Sequence, residues 1–154
     1  GYADADAQLP LTERHWQAYT PGQIRTLALL LRQLVDRYQL PPTRLLGHSD
    51  IATGRKVDPG PLFPWKRLAD AGFGIWPNAR AVAREQALYA SNLPSITWFQ
   101  QQLALLGYET PQTGELDVAT RHVLAAFQMH FRPSRYDGTP DAESAAILRA
   151  LNHR

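Results

Sequence analysis

The strongest pattern in the chain lies between Thr20 and Pro42. Ile24, Leu27, Ala28, Leu31, Leu34, Val35 and Tyr38 recur at steps of three and four, which places them on one face of an α-helix. Arg25, Arg32, Asp36 and Arg37 fall off that face. Thr20 supplies an N-cap hydroxyl, Pro21 takes the first helical position, and Gln23 completes a capping box. Pro41-Pro42 stops the helix. The next apolar pair, Leu45-Leu46 before Gly47, predicts a very short buried strand. From there to Pro77, the breaks at Gly54, Pro59, Gly60, Pro61, Pro64, Gly72 and Gly74 predict ordered loop, with one or two helical turns over residues 64–69. The alanine-rich stretch 79–90 predicts a further helix, and Asn92, Pro94 and Ser95 mark a junction.

Beyond the junction the pattern repeats. Gly114, Asp117, Thr120 and the pair Val123-Leu124 recur as Gly138, Asp141, Ser144 and Ile147-Leu148, 24 residues later. Each copy reads as a tight glycine turn followed by an aspartate that caps a helix. Ile96, Phe99, Leu103 and Leu106 write a preceding helix, closed by Gly107. Three helices would share a core of Leu103, Leu106, Val123, Phe127, Ile147, Leu148 and Leu151. Residues 94–154 thus form a small helical unit, near the lower size limit for independent folding.

Composition narrows the function classes. The 154 residues are 44% hydrophobic and 19% charged, enough apolar material for a packed core. The net charge is +2, so no polyanion partner is indicated and nucleic acid is not an expected partner. No apolar run reaches the roughly 18–20 residues needed to span a bilayer. The absence of cysteine excludes disulfides and thiolate metal sites.

The chemistry concentrates in the run GHSDIATGRKVDPGPLFPW, Gly47 to Trp65. His48 and Asp58 stand ten residues apart, and imidazole and carboxylate are ligands that Zn²⁺ accepts at catalytic sites. The intervening Gly54, and Pro59 and Gly60 just after, would let the loop bring the two together. Lys56 could place a cation where a tetrahedral intermediate gains negative charge. On spacing alone a plain alternative stands beside this one: His48 hydrogen-bonded in a loop, Asp58 capping a turn, and Lys56 solvated.

The same run closely resembles the zinc-dependent N-acetylmuramoyl-L-alanine amidases of the AmpD/AmiD type, relatives of the peptidoglycan recognition proteins. By that resemblance His48 and Asp58 match two zinc ligands, and Lys56 matches the catalytic lysine. Arg55, Phe63 and Trp65 would border the substrate cleft. Residues 94–154, through Leu106-Gly107-Tyr108, Thr113 to Asp117 and Ala126-Phe127-Gln128, resemble the peptidoglycan-binding module of AmiD-like members. The resemblance implies an α/β amidase domain, represented at 1–93 by its C-terminal portion with most strands missing, then an all-α three-helix module at 94–154. It further implies a Zn²⁺ cofactor, a peptidoglycan or muropeptide substrate and a periplasmic location.

One departure accompanies the match. The family's remaining histidine ligand and its general-base glutamate lie N-terminal to the residues seen here, and Gly1-Tyr2 resemble the positions just after the turn that follows the glutamate strand. The helix beginning at Pro21 also presents an apolar face with no sheet to cover it. An N-terminal segment, present as a separate chain, is therefore an expected partner, and homo-oligomerisation is left open. His15, His122, His130 and His153 match no motif, and His130 and His153 are read as solvated helix ends. Glu13 and Glu85 are not promoted to general base. A binding module without catalysis is the rival reading. The D-Ala-D-Ala peptidase class is rejected, because its closer His-to-Asp spacing and later His pair are absent.

Overall fold

The computed structural model describes residues 6–153; the match at Gly1-Tyr2 lies outside them. Among the described residues seven α-helices follow in order: α1 Pro21–Tyr38, α2 His48–Ile51, α3 Trp65–Asp70, α4 Ala79–Ser91, α5 Ile96–Leu106, α6 Val118–Phe131 and α7 Ala142–Asn152. Short 3₁₀ turns occupy Leu11–Glu13 and Pro42–Arg44.

The helix boundaries follow from their caps. Thr20 accepts the Gln23 N–H while Gln23 returns a bond to the Thr20 N–H, so the capping box expected for α1 is complete. Ser95, Asp117 and Asp141 cap α5, α6 and α7 through the N–H groups of Trp98, Thr120 and Ser144. Gly107 closes α5 at φ 110°, a conformation that costs a residue with a Cβ far more than glycine.

No strand occurs among the described residues. Leu45 has extended dihedrals, but its N–H folds back to the Pro42 carbonyl and Leu46 is exposed. A strand exists only through a neighbour that takes its N–H and C=O groups, and among the described residues the backbone bond of this pair runs back to Pro42. The expected strand is therefore a bend leading into α2, a turn of helix inside a stretch whose punctuation reads as loop.

The core lies in the C-terminal helices. Phe99, Leu103, Val123, Leu124, Phe127, Phe131, Ile147, Leu148 and Leu151 pack into one cluster, with Leu106 and Trp98 partly buried at its edge. α7 lies against α4 and α5, while α6 touches α5 on one side and α2 and α3 on another. Every residue of α6 from Val123 to Phe131 is consequently buried, including Gln128 and His130. α1 differs. Ile24 is buried, and Leu27 and Leu31 line an apolar cavity of about 120 Å³ with Phe63, Trp65, Leu68 and Phe73, but Leu29, Leu30, Leu34 and Tyr38 face solvent.

Each copy of the 24-residue repeat is held by a buried glutamine, Gln100 and Gln128, themselves 28 residues apart, as well as by its capping aspartate. Gln100 accepts the Gly114 N–H at 2.8 Å and donates to Thr120 Oγ1 at 2.8 Å and the Glu115 carbonyl at 3.1 Å. Gln128 accepts the Gly138 N–H at 2.9 Å and donates to Ser144 Oγ at 3.0 Å and the Thr139 carbonyl at 2.9 Å. In each copy one amide holds the glycine turn against the start of the following helix.

Candidate active site

The loop from Gly47 to Pro64 is folded back on itself by backbone bonds. The Ser49 N–H donates to the Asp58 carbonyl at 2.8 Å, and the Arg55 and Lys56 N–H groups both donate to the Ala52 carbonyl. Gly54 turns the chain at φ 74°. At the far end, Tyr19 donates its hydroxyl to the Pro59 carbonyl at 2.8 Å. Burial, and then the nearby Asp58 charge, raise the Tyr19 pKa, which keeps the phenol protonated as that donor. Gly60 sits at φ 84° against the face of Trp16, where a side chain would collide with the indole.

These constraints bring His48 and Asp58 together. Nδ1 of His48 lies 3.2 Å from Oδ2 of Asp58, with both side chains about half exposed, at 47% and 62%. That separation fits a hydrogen bond. It equally fits two donors sharing one tetrahedral Zn²⁺, for which bonds of about 2.0–2.1 Å place neighbouring ligand atoms about 3.3 Å apart. No group of three or more His, Cys, Asp or Glu side chains suited to a metal occurs among the described residues. Two such side chains are fewer than the three protein ligands of a catalytic zinc site.

Lys56 is exposed beside Asp58 and lines a cavity of about 360 Å³ with Arg14, Trp16, Arg55 and Asp58. Arg55 also borders a larger groove of about 490 Å³ between the α2 loop and residues 109–111 and His122. The aromatic pair diverges. Phe63 is half-buried, edge-on to Tyr19 and to Trp65. Trp65 is buried and stacks on His130, with ring centroids 3.9 Å apart. Its ring is occupied in packing the loop onto α6.

His130 corrects an expectation. It is not a solvated helix end: only 4% of its side chain is exposed, because α2 and α3 cover this side of α6. Its Nδ1 lies 2.8 Å from Oδ2 of Asp50, a carboxylate that can only accept, so Nδ1 carries the proton. Tyr108 donates to Oδ1 of Asp50 at 2.7 Å. Burial, then the charge and the hydrogen bond of Asp50, push the Tyr108 phenol well above its ordinary pKa. The Gly47 N–H donates to the same Asp50 carboxylate at 2.7 Å. Asp50 lies two positions from His48, yet its side-chain partners Tyr108 and His130 are 58 and 80 residues away, beyond the reach of periodicity or spacing.

Comparison with known proteins gives this geometry a context. Residues 4–61 match the family model described as N-acetylmuramoyl-L-alanine amidase, and residues 92–148 match the one described as a putative peptidoglycan binding domain. The N-acetylmuramoyl-L-alanine amidase AmiD of Escherichia coli K12 is 39% identical over 163 residues, an alignment covering 96% of this chain and 57% of AmiD. The crystal structure of AmpDh3 from Pseudomonas aeruginosa superposes with a TM-score of 0.85 at 41% identity, covering 92% of this chain and 56% of that one. E. coli AmiD, solved in complex with the substrate anhydro-N-acetylmuramic acid-L-Ala-D-gamma-Glu-L-Lys, gives 0.82 at 37% identity, over 94% of this chain and 56% of that one. The chain thus spans little more than half the length of these relatives. Within that span, residues 4–61 are similar to the N-acetylmuramoyl-L-alanine amidase family, and they are followed at 92–148 by a segment similar to the peptidoglycan-binding domain family.

Proposed function

We propose that this chain is part of a zinc-dependent amidase that cleaves the bond between N-acetylmuramic acid and L-alanine in peptidoglycan or muropeptides, in cell-wall turnover and recycling. The observation that carries the reading is the 3.2 Å approach of His48 to Asp58, on a loop that also bears Lys56. The AmiD complex named above supports a muropeptide as the substrate class.

In this reading His48 and Asp58 hold the zinc ion, which when bound supplies Lewis-acid chemistry for water and the scissile carbonyl. Lys56 presents its ammonium where the carbonyl oxygen gains charge, a stabilisation that applies to the transition state and not to the ground state. Arg55, exposed on the adjoining rim, orients the carboxylates of the stem peptide. By the family resemblance, the remaining histidine ligand and the glutamate base would come from an amidase segment N-terminal to these residues. That segment would supply the strands of an α/β domain and cover the exposed Leu29, Leu30, Leu34 and Tyr38 of α1. The division of the chain at 93/94, with wall binding assigned to 94–154, and a periplasmic site of action belong to the same proposal. No described helix is long and apolar enough to cross a membrane.

The test is zinc content and muropeptide hydrolysis by the chain completed with its preceding amidase segment. About one zinc per protein is expected, lost together with turnover in His48→Ala and in Asp58→Ala. Full activity in either variant would refute the metal assignment. Peptidoglycan binding without zinc or turnover in the completed protein would favour a non-catalytic wall-binding protein.

A further inference from the structure

We propose that Asp50 is a positioning residue, through which docking of the C-terminal helices sets the conformation of the turn that carries His48. The inference rests on the reading of His48 as a metal ligand, and it concerns how that side chain is held.

The Asp50 carboxylate is 3% exposed and takes three donors: Gly47 N–H, Tyr108 Oη and His130 Nδ1, at 2.7, 2.7 and 2.8 Å. One donor is the backbone immediately before His48. The other two belong to the C-terminal helical part, Tyr108 just after α5 and His130 on α6. A buried carboxylate needs such donors, because it carries a large desolvation cost without them. If the C-terminal helices withdrew, Asp50 would lose two of the three. It would then turn towards water, and the Gly47 N–H would lose its acceptor.

A second contact runs in parallel. Gly47 has φ −82°, so its backbone conformation does not demand glycine, but its space does. A Cβ there would meet Pro59 Cδ at 2.8 Å, and Asp50 Oδ2 and Trp65 Cζ2 at 3.2 Å. The Trp65 ring that seats the turn is the one stacked on His130. His130 therefore holds the turn twice, through the Asp50 carboxylate and through Trp65.

Amide hydrogen exchange on the 154-residue chain reads this link without metal or substrate. In Asp50→Asn and in His130→Leu, the Gly47 and Ser49 N–H groups are expected to exchange roughly tenfold faster or more, while Leu124 in the α6 core keeps its rate. His130→Asn, whose side-chain N–H₂ can take the place of Nδ1–H but which has no ring to stack on Trp65, restores the part of the protection that runs through Asp50. Tyr108→Phe deletes one hydroxyl only, serves if His130→Leu fails to fold, and moves the same two amides in the same direction. Unchanged Gly47 and Ser49 rates, or an acceleration shared equally by Leu124, would overturn the proposal. Zn²⁺ titration of the completed amidase separates this inference from the metal reading. Absence of zinc binding in the wild type defeats the metal reading, and exchange then decides the link alone. Zinc binding roughly tenfold weaker in Asp50→Asn is expected, and an unchanged affinity would overturn the positioning role.

Discussion

Ser49 and Asp58 are joined backbone to backbone, the N–H of one donating to the carbonyl of the other at 2.8 Å. This bond closes the loop between the two halves of the candidate site, so His48 and Asp58 leave neighbouring points of one turn. The convergence of their side chains is therefore a property of the backbone and not of a single side-chain contact. Lys56 is placed by the same loop, through its N–H on the Ala52 carbonyl.

Lys56 is expected to act on the transition state and not on metal binding. In the completed amidase, Lys56→Ala should lower kcat by about a hundredfold or more, in the range found when an oxyanion donor is removed. Zinc content should stay at the wild-type level. Steady-state kinetics beside metal analysis checks this, and loss of zinc together with activity would assign Lys56 a structural role instead.

Gly54 couples the loop to α6. Its φ of 74° disfavours any L side chain, and a Cβ there would run into the His122 ring. Gly54→Ala should destabilise the chain by about 1–3 kcal/mol, combining left-handed strain with the collision. His122→Ala should recover part of that loss in the double variant, since it removes the collision and leaves the strain. Chemical denaturation of the two single variants and the double variant measures the coupling, and strict additivity would mean that the ring is not the obstacle.

The buried glutamines carry a parallel expectation. Gln100→Leu and Gln128→Leu keep approximate volume, but each strands a glycine N–H and a hydroxyl that the amide had satisfied. Each should cost about 2–4 kcal/mol in urea unfolding, because buried polar groups are left without partners. A cost below 1 kcal/mol would mean that water replaces the amide.

What the sequence disclosed follows a physical divide. Local signals were legible: Thr20 and Gln23 around Pro21, Asp117 and Asp141 before their helices, and Gly107 after α5 each act within four residues of themselves. The His48–Asp58 pairing was also readable, since the turn residues between and beside them make a ten-residue closure feasible. Non-local features were not. Leu45-Leu46 has strand-like character, but strand formation depends on a partner the described residues do not contain. His130 sits at an ordinary helical position near the end of α6, and nothing nearby in sequence says that Asp50, 80 residues earlier, will bury it. Tyr108 has no local signal of its partner either, since Asp50 lies 58 residues earlier.

The helix-capping aspartates set an acid limit on stability. Burial alone would raise the Asp141 pKa, but its bonds from the Ser144 N–H at 2.8 Å and Arg132 Nη1 at 2.6 Å outweigh burial and lower it from the ordinary 3.8. Asp137 is lowered in the same way: burial opposes, while the Thr139 N–H and Arg135 prevail. Asp117 is lowered chiefly by the Thr120 N–H. A carboxylate with a depressed folded pKa releases its proton more readily folded than unfolded, so falling pH favours the unfolded chain, which binds protons first. The stabilisation is therefore complete above the ordinary carboxylate value and is lost as pH falls through the lower folded values. The melting temperature of the chain should drop steeply below about pH 4. Asp141→Asn should lower Tm at neutral pH, since an amide is a weaker partner for Arg132, and should flatten the acid drop. Thermal melts of both proteins across pH 2–7 check this, and parallel curves would show that Asp141 does not contribute to the acid limit.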